Sequence, residues 1–83
     1  MKKNNKILLI LTDIFRTVFD DTSINLNKNT TSADIEEWDS LNQIKIILAC
    51  EKKFVIRLNP REVNAFENIG EMVDHLISIG AKT

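Results

Sequence analysis

Residues 37–48 read Glu37-Trp38-Asp39-Ser40-Leu41-Asn42-Gln43-Ile44-Lys45-Ile46-Ile47-Leu48. Leu41, Ile44, Ile47 and Leu48 recur at steps of three and four residues, the period of a helix face. The pattern extends through Cys50 or Glu51 to about Lys53, and Lys52-Lys53 suit the negative end of a helix dipole. The start is marked twice. Ser40 with Gln43 three residues on is a Ser-x-x-Gln capping box, and Asp39 is itself a good N-cap. The stretch therefore predicts a helix over 40–53 with a serine at its N-terminus.

Upstream, Ile7, Leu8, Leu11, Ile14, Phe15, Val18 and Phe19 form one apolar face of a helix over about 6–19, which Leu9 and Ile10 widen. Asp20-Asp21 should end it, because acids are unfavourable near a helix C-terminus. Residues 20–39 then form a long connection rich in Asp, Asn, Ser and Thr, which compete with helix through local hydrogen bonds. Ile24 and Leu26 are expected to pin this loop to the core, and residues 32–38 to add one helical turn. A loop of this length in a compact domain is usually functional.

Downstream, Phe54-Val55-Ile56-Arg57-Leu58 alternates in part, as a strand would. With no second strand to satisfy its backbone, it reads instead as an irregular connector with Phe54, Ile56 or Leu58 plugged into the core. Asn59-Pro60-Arg61-Glu62 has a helix-start signature and opens a short helix over about 60–66. Asn68-Ile69-Gly70-Glu71 repeats the cap pattern. It opens a last helix over about 69–79 that buries Ile69, Met72, Val73, Leu76 and Ile77 and stops at Gly80. The result is an all-α four-helix bundle, residues 1–83 as one domain, with three longer helices, a short third one and no sheet. Phe15, Phe19, Ile44, Ile47, Phe54, Val73, Leu76 and Ile77 are its expected core.

Composition narrows the function. The chain has 83 residues, one Cys, one His and no Tyr. Cys50 cannot form an internal disulfide, and one Cys with one His cannot complete a zinc site. There is no Gly-rich phosphate loop, and His75 has no evident triad around it. Such a chain is better suited to carrying a group than to transforming one. Eleven basic against twelve acidic residues give a net charge of −1, which argues against a nucleic-acid partner. After Met1-Lys2-Lys3 the apolar run Ile7–Leu11 ends after five residues. It is too short for a secretory signal of ~7–15 apolar residues or a span of ~18, so the expected location is the cytoplasm.

A serine at a helix N-terminus after a long polar loop sits where backbone N–H groups and the dipole favour a phosphate. Here Asp39-Ser40-Leu41 resembles the Asp-Ser-Leu motif of acyl carrier proteins, in which the serine hydroxyl carries 4′-phosphopantetheine donated by coenzyme A. The order of elements also resembles that family: a long loop after the first helix, the motif opening the second, a short third helix and a final fourth. The likeness is clearest from Trp38 to about Leu76. It implies that Ser40 is the attachment point and that Asp39 helps a magnesium-using phosphopantetheinyl transferase to engage. It further implies that Leu41, Asn42, Ile44, Lys45 and Leu48 meet partner enzymes, with no metal bound by the chain itself.

One departure stands out. Many family members carry acids on the second helix, whereas here Asn42 and Lys45 replace them and Lys52-Lys53 follow Glu51. That implies a specialised, standalone, monomeric carrier with dedicated partners rather than a servant of bulk fatty-acid synthesis. The cargo implied is an acyl thioester. An aminoacyl or peptidyl carrier with the same arm is the alternative, and an unmodified helical interaction module with Ser40 as a mere cap is a further one.

Overall fold

The computed structural model describes residues 3–35 and 38–83. Among these residues four helices follow in order: α1 Lys3–Val18, α2 Ser40–Phe54, α3 Pro60–Asn64 and α4 Ile69–Ser78. A 3-10 turn at Ser32–Asp34 interrupts the long loop. The far end of the helical turn expected over 32–38 falls on residues 36 and 37, outside the described residues. No strand occurs among the described residues.

Helix α1 ends where Asp20 adopts φ 50°. The Asp21 N–H reaches the Arg16 carbonyl and the Asp20 N–H reaches that of Thr17. This pairing satisfies the last carbonyls of the helix through one left-handed residue, a conformation Asp tolerates better than most. Gly80, at φ 81°, closes α4 in the same manner, with Ala81 donating to Leu76 and Gly80 to Ile77. Helix α2 closes on Val55 at φ 54°, and there the cost differs. A β-branched residue is strained in this region, and Val55 is 66% exposed, so packing returns little. Val55→Gly should raise unfolding stability by about 1 kcal/mol, read by urea denaturation. A loss of stability would show that the strain is absent.

The core runs through all four helices. Ile7, Leu11, Ile14 and Phe15 of α1 join Ile46, Ile47, Cys50 and Phe54 of α2, Val63 of α3, and Ile69, Met72, Val73 and Leu76 of α4. Burial departs from the expected list at three places. Ile44 is 53% exposed, because it lies on the opposite side of α2 from Ile46 and Cys50. Phe19 and Ile77 are half-buried at the edges of the core. Ile46, fully buried, is the α2 residue that occupies the position expected of Ile44.

The loop between α1 and α2 is fixed at several points. Arg16 donates from Nε to the Ile24 carbonyl at 2.7 Å and from Nη2 to Asn25 Oδ1 at 2.8 Å. Leu26 is buried and Ile24 half-buried. Further on, the Thr30 and Lys28 carbonyls accept the N–H groups of Ile69 and Gly70, each at 2.9 Å. The loop thereby caps the first turn of α4, and a Cβ at Gly70 would come within 3.0 Å of the Lys28 carbonyl oxygen. Between α2 and α3, Phe54 and Leu58 plug the core, Ile56 is half-buried, and Glu51 Oε2 accepts the Leu58 N–H at 2.9 Å.

Candidate functional site around Ser40

Ser40 is the first residue of α2, and the cap is Asp39. Asp39 Oδ1 accepts the Asn42 N–H at 2.8 Å, and its carbonyl accepts the Gln43 N–H at 2.9 Å. The Ser-x-x-Gln capping box does not form, since Gln43 turns its side chain elsewhere. Ser40 is exposed, and its hydroxyl makes no hydrogen bond to a described residue. No described residue accepts from the Ser40 or Leu41 N–H either. In α4 the loop and the Asn68 side chain take all three N–H groups of the first turn. The start of α2 thus keeps outward donors at the positive end of the dipole, beside an uncommitted hydroxyl. A phosphodiester on Ser40 Oγ fits such a place.

The approach to Ser40 is held by aromatic packing. The Trp38 ring stands edge-on to Phe15 at 5.1 Å and to Phe19 at 6.3 Å, which ties the end of the loop to α1. Trp38 Nε1 donates to Gln43 Oε1 at 2.5 Å, and Gln43 Nε2 donates to Asn64 Oδ1 at 3.4 Å. One side chain, Gln43, therefore joins the loop, α2 and α3 just beyond the serine. The last of these bonds is long, so the tie to α3 is the weaker one.

Ser40 and Asp39 stand on the rim of a cleft of about 600 Å³. Its walls are α2 at Gln43, Ile44 and Ile47, α3 at Val63 and Asn64, and Phe66, Ile69 and Met72 beyond. Thr30 and Trp38 close the loop side. Apolar side chains supply most of its lining surface, with the polar groups of Asp39, Ser40, Gln43, Asn64 and Glu67 among them, a composition common in small-molecule sites.

Leu41, Ile44, Lys45 and Leu48 all lie exposed on α2, continuing away from Ser40, while Asn42 is half-buried. The thiol of Cys50 is buried in the core, and burial, with Glu51 nearby, pushes its pKa up to about 12. It packs as a small hydrophobe. His75 is half-buried. Its Nε2 lies 3.2 Å from Glu62 Oε2 and its ring 5.3 Å from that of Phe66, bridging α4 to α3. No group of three metal-ligating side chains occurs among the described residues. Gln43 and Asn64 were not legible as parts of the site. Only the sequence spacing Trp38 to Gln43, little more than one turn across the helix start, hinted at their meeting.

A family profile described as "Phosphopantetheine attachment site" matches residues 10–76. The fold is similar to the solution NMR structure of a holo acyl carrier protein from Geobacter metallireducens. Identity is 38%, covering 87% of this chain and 83% of that one, with a TM-score of 0.79. No curated protein matches the chain. A holo relative at this identity and an attachment-site profile spanning the helix start are consistent with an exposed hydroxyl beside outward N–H donors. The chain belongs to the acyl carrier protein family, carriers that hold 4′-phosphopantetheine as a covalent group.

Proposed function

We propose that Ser40 Oγ is the attachment atom and that the cargo is an acyl group, held as a thioester on the arm and offered to biosynthetic enzymes. In the loading step the Ser40 oxygen attacks the phosphorus nearest pantetheine in coenzyme A. The new P–O bond replaces the one to the departing adenosine 3′,5′-bisphosphate, and the serine proton is lost to the transferase or solvent. The chain contributes an accessible hydroxyl at a rigid helix start, and Asp39 offers a carboxylate beside it for the magnesium-bearing transferase. Leu41, Asn42, Ile44, Lys45 and Leu48 meet the enzymes that load and unload the arm. The cytoplasm, where coenzyme A is made, is the proposed location. No helix among the described residues is long and apolar enough to cross a membrane.

The observation that carries the acyl reading is the apolar cleft opening at Ser40. A hydrocarbon chain folded back into it would lose water contact along its length, at about 0.8 kcal/mol per methylene. A glycyl group has no hydrocarbon chain to bury there. Thermal unfolding of the holo chain and of its octanoyl and glycyl thioesters tests this. Burial of only two methylenes should raise the melting temperature of the octanoyl form by roughly 6 °C or more, with the glycyl form unchanged. Equal melting of all three would remove the support for an acyl cargo.

A further inference from the structure

The charges of the chain nearly balance, at eleven basic against twelve acidic residues, but they are not mixed. Helix α1 runs antiparallel to α2, because Phe15 and Phe19 near its end meet Trp38 beside the α2 start. The first turn of α1, with Lys6, therefore lies at the end of the bundle remote from Ser40. Lys52 and Lys53 close α2 at that end, and Arg57 follows in the connector. The Phe54 carbonyl accepts the Lys82 N–H at 3.0 Å, which brings the end of α4 there too. All five basic side chains are exposed, and no acid among the described residues forms an ion pair with them. Glu51, an acid at this end, is half-buried, with Oε2 accepting the Leu58 N–H. The exposed acids Asp20, Asp21, Asp39, Glu67 and Glu71 stand instead at the Ser40 end, where α1 stops and α2 and α4 start.

Local rules account for part of this basic pole. Lys52 and Lys53 complement the negative end of the α2 dipole, whereas Lys6 opposes the positive end of α1. Val55 is the less expected member. It sits between Lys53 and Arg57 at φ 54°, strained for a β-branched residue, with its side chain 66% exposed. Ile79, 38% exposed, adds a second apolar side chain at the end of α4. Choices that oppose local preference without a packing gain mark positions kept for another use.

We propose that this pole seats the carrier on an anionic lipid surface, with Val55 and Ile79 entering the headgroup layer and Ser40 facing water. The 15 residues of α2 hold Ser40 about 21 Å from the pole. The Debye length at physiological salt is about 8 Å, so the field of the bilayer acts on the five cations and fades before the acids. A net charge of −1 is thus no bar to binding. The composition also suits lipid. Four of the five cations are lysines, point charges on flexible stems that match headgroups free to rearrange. A folded acidic partner is better met by the fixed fork of arginine. Enzymes that act on Ser40 keep their access from the opposite end.

Flotation of the full chain with phosphatidylcholine vesicles, with and without phosphatidylserine, tests this at low and high salt. The parent should bind only the vesicles that contain phosphatidylserine, and lose them at high salt. Each basic residue near the surface contributes about fivefold to the partition coefficient. Lys53→Glu/Lys82→Glu should therefore lower it at least tenfold. Lys28→Glu/Lys45→Glu, an equal change of net charge away from the pole, should leave it within about twofold. Val55→Gly should weaken binding about threefold while unfolding at higher urea, a pairing that damage to the fold cannot produce. No binding by the parent, equal binding to both vesicles, or an equal loss in the control variant overturns the inference. So does a complex with an acidic protein that needs Lys53 and Lys82 while vesicles are ignored. None of these outcomes touches the loading of Ser40, which is measured in solution.

Discussion

Ser40→Ala leaves the chain unable to accept phosphopantetheine, with the transfer falling to background rather than by a partial factor. The expectation is absolute because the substitution removes the nucleophilic oxygen, for which no neighbour can substitute. Ser32 lies in the 3-10 turn and Ser23 donates its hydroxyl to Asp21, so neither stands at a helix start with outward N–H donors. The fold should be unharmed, since Asp39 rather than Ser40 caps α2. Intact mass after incubation with coenzyme A, magnesium and a permissive transferase reads the result, with circular dichroism confirming the helices. Asp39→Ala is the informative companion. It removes the cap, worth about 1 kcal/mol, and the carboxylate beside the hydroxyl, so it should lower both stability and loading.

The second large effect separates two isoleucines two residues apart. Ile46→Ala should cost about 2–5 kcal/mol, because Ile46 is fully buried against the other helices. In a domain of this size, that is a large share of the total stability. Ile44→Ala should stay within about 0.5 kcal/mol, the range of surface changes, and should slow partner enzymes instead. Urea denaturation of both variants decides the phase of α2. Comparable losses would mean that the helix is rotated about its axis relative to the arrangement described here.

That rotation is also where sequence reasoning reached its limit. The bundle, the order of helices and the short third helix were legible, because Asn59-Pro60 and Asn68 announce helix starts by chemistry that tertiary packing does not override. The caps of α3 and α4 are the asparagines expected. In α2 the periodicity was ambiguous, since apolar residues occupy 41, 44, 46, 47 and 48 and so supply two stripes, one on each side. Local spacing cannot say which stripe faces the core. That choice is made by Phe15, Leu76 and their neighbours on other helices. The exposed stripe keeps its apolar residues without a packing reason, which fits a helix face selected for contact with partners.

The site was half legible. Asp39-Ser40-Leu41 pointed to the proposed attachment position, but the capping box read from Ser40 and Gln43 does not form. Gln43 is drawn instead to Trp38 and Asn64, side chains that only the folded loop and α3 bring near. The cleft likewise depends on the loop docking against α4 through the Lys28 and Thr30 carbonyls, backbone contacts that leave no mark in the residue pattern. The setting of His75 was hidden for the same reason, since its partners Glu62 and Phe66 lie on a different helix and a connector.

The carrier reading stands or falls on whether Ser40 bears an arm charged with an acyl group. Intact mass of the protein purified from its own cell, followed by peptide mapping, tests it most directly. The expected result is a single phosphopantetheine on the peptide containing Ser40, with a fraction carrying a further acyl mass that hydroxylamine releases. A bare polypeptide mass in cells with active transferase, or an arm on any other residue, would contradict it.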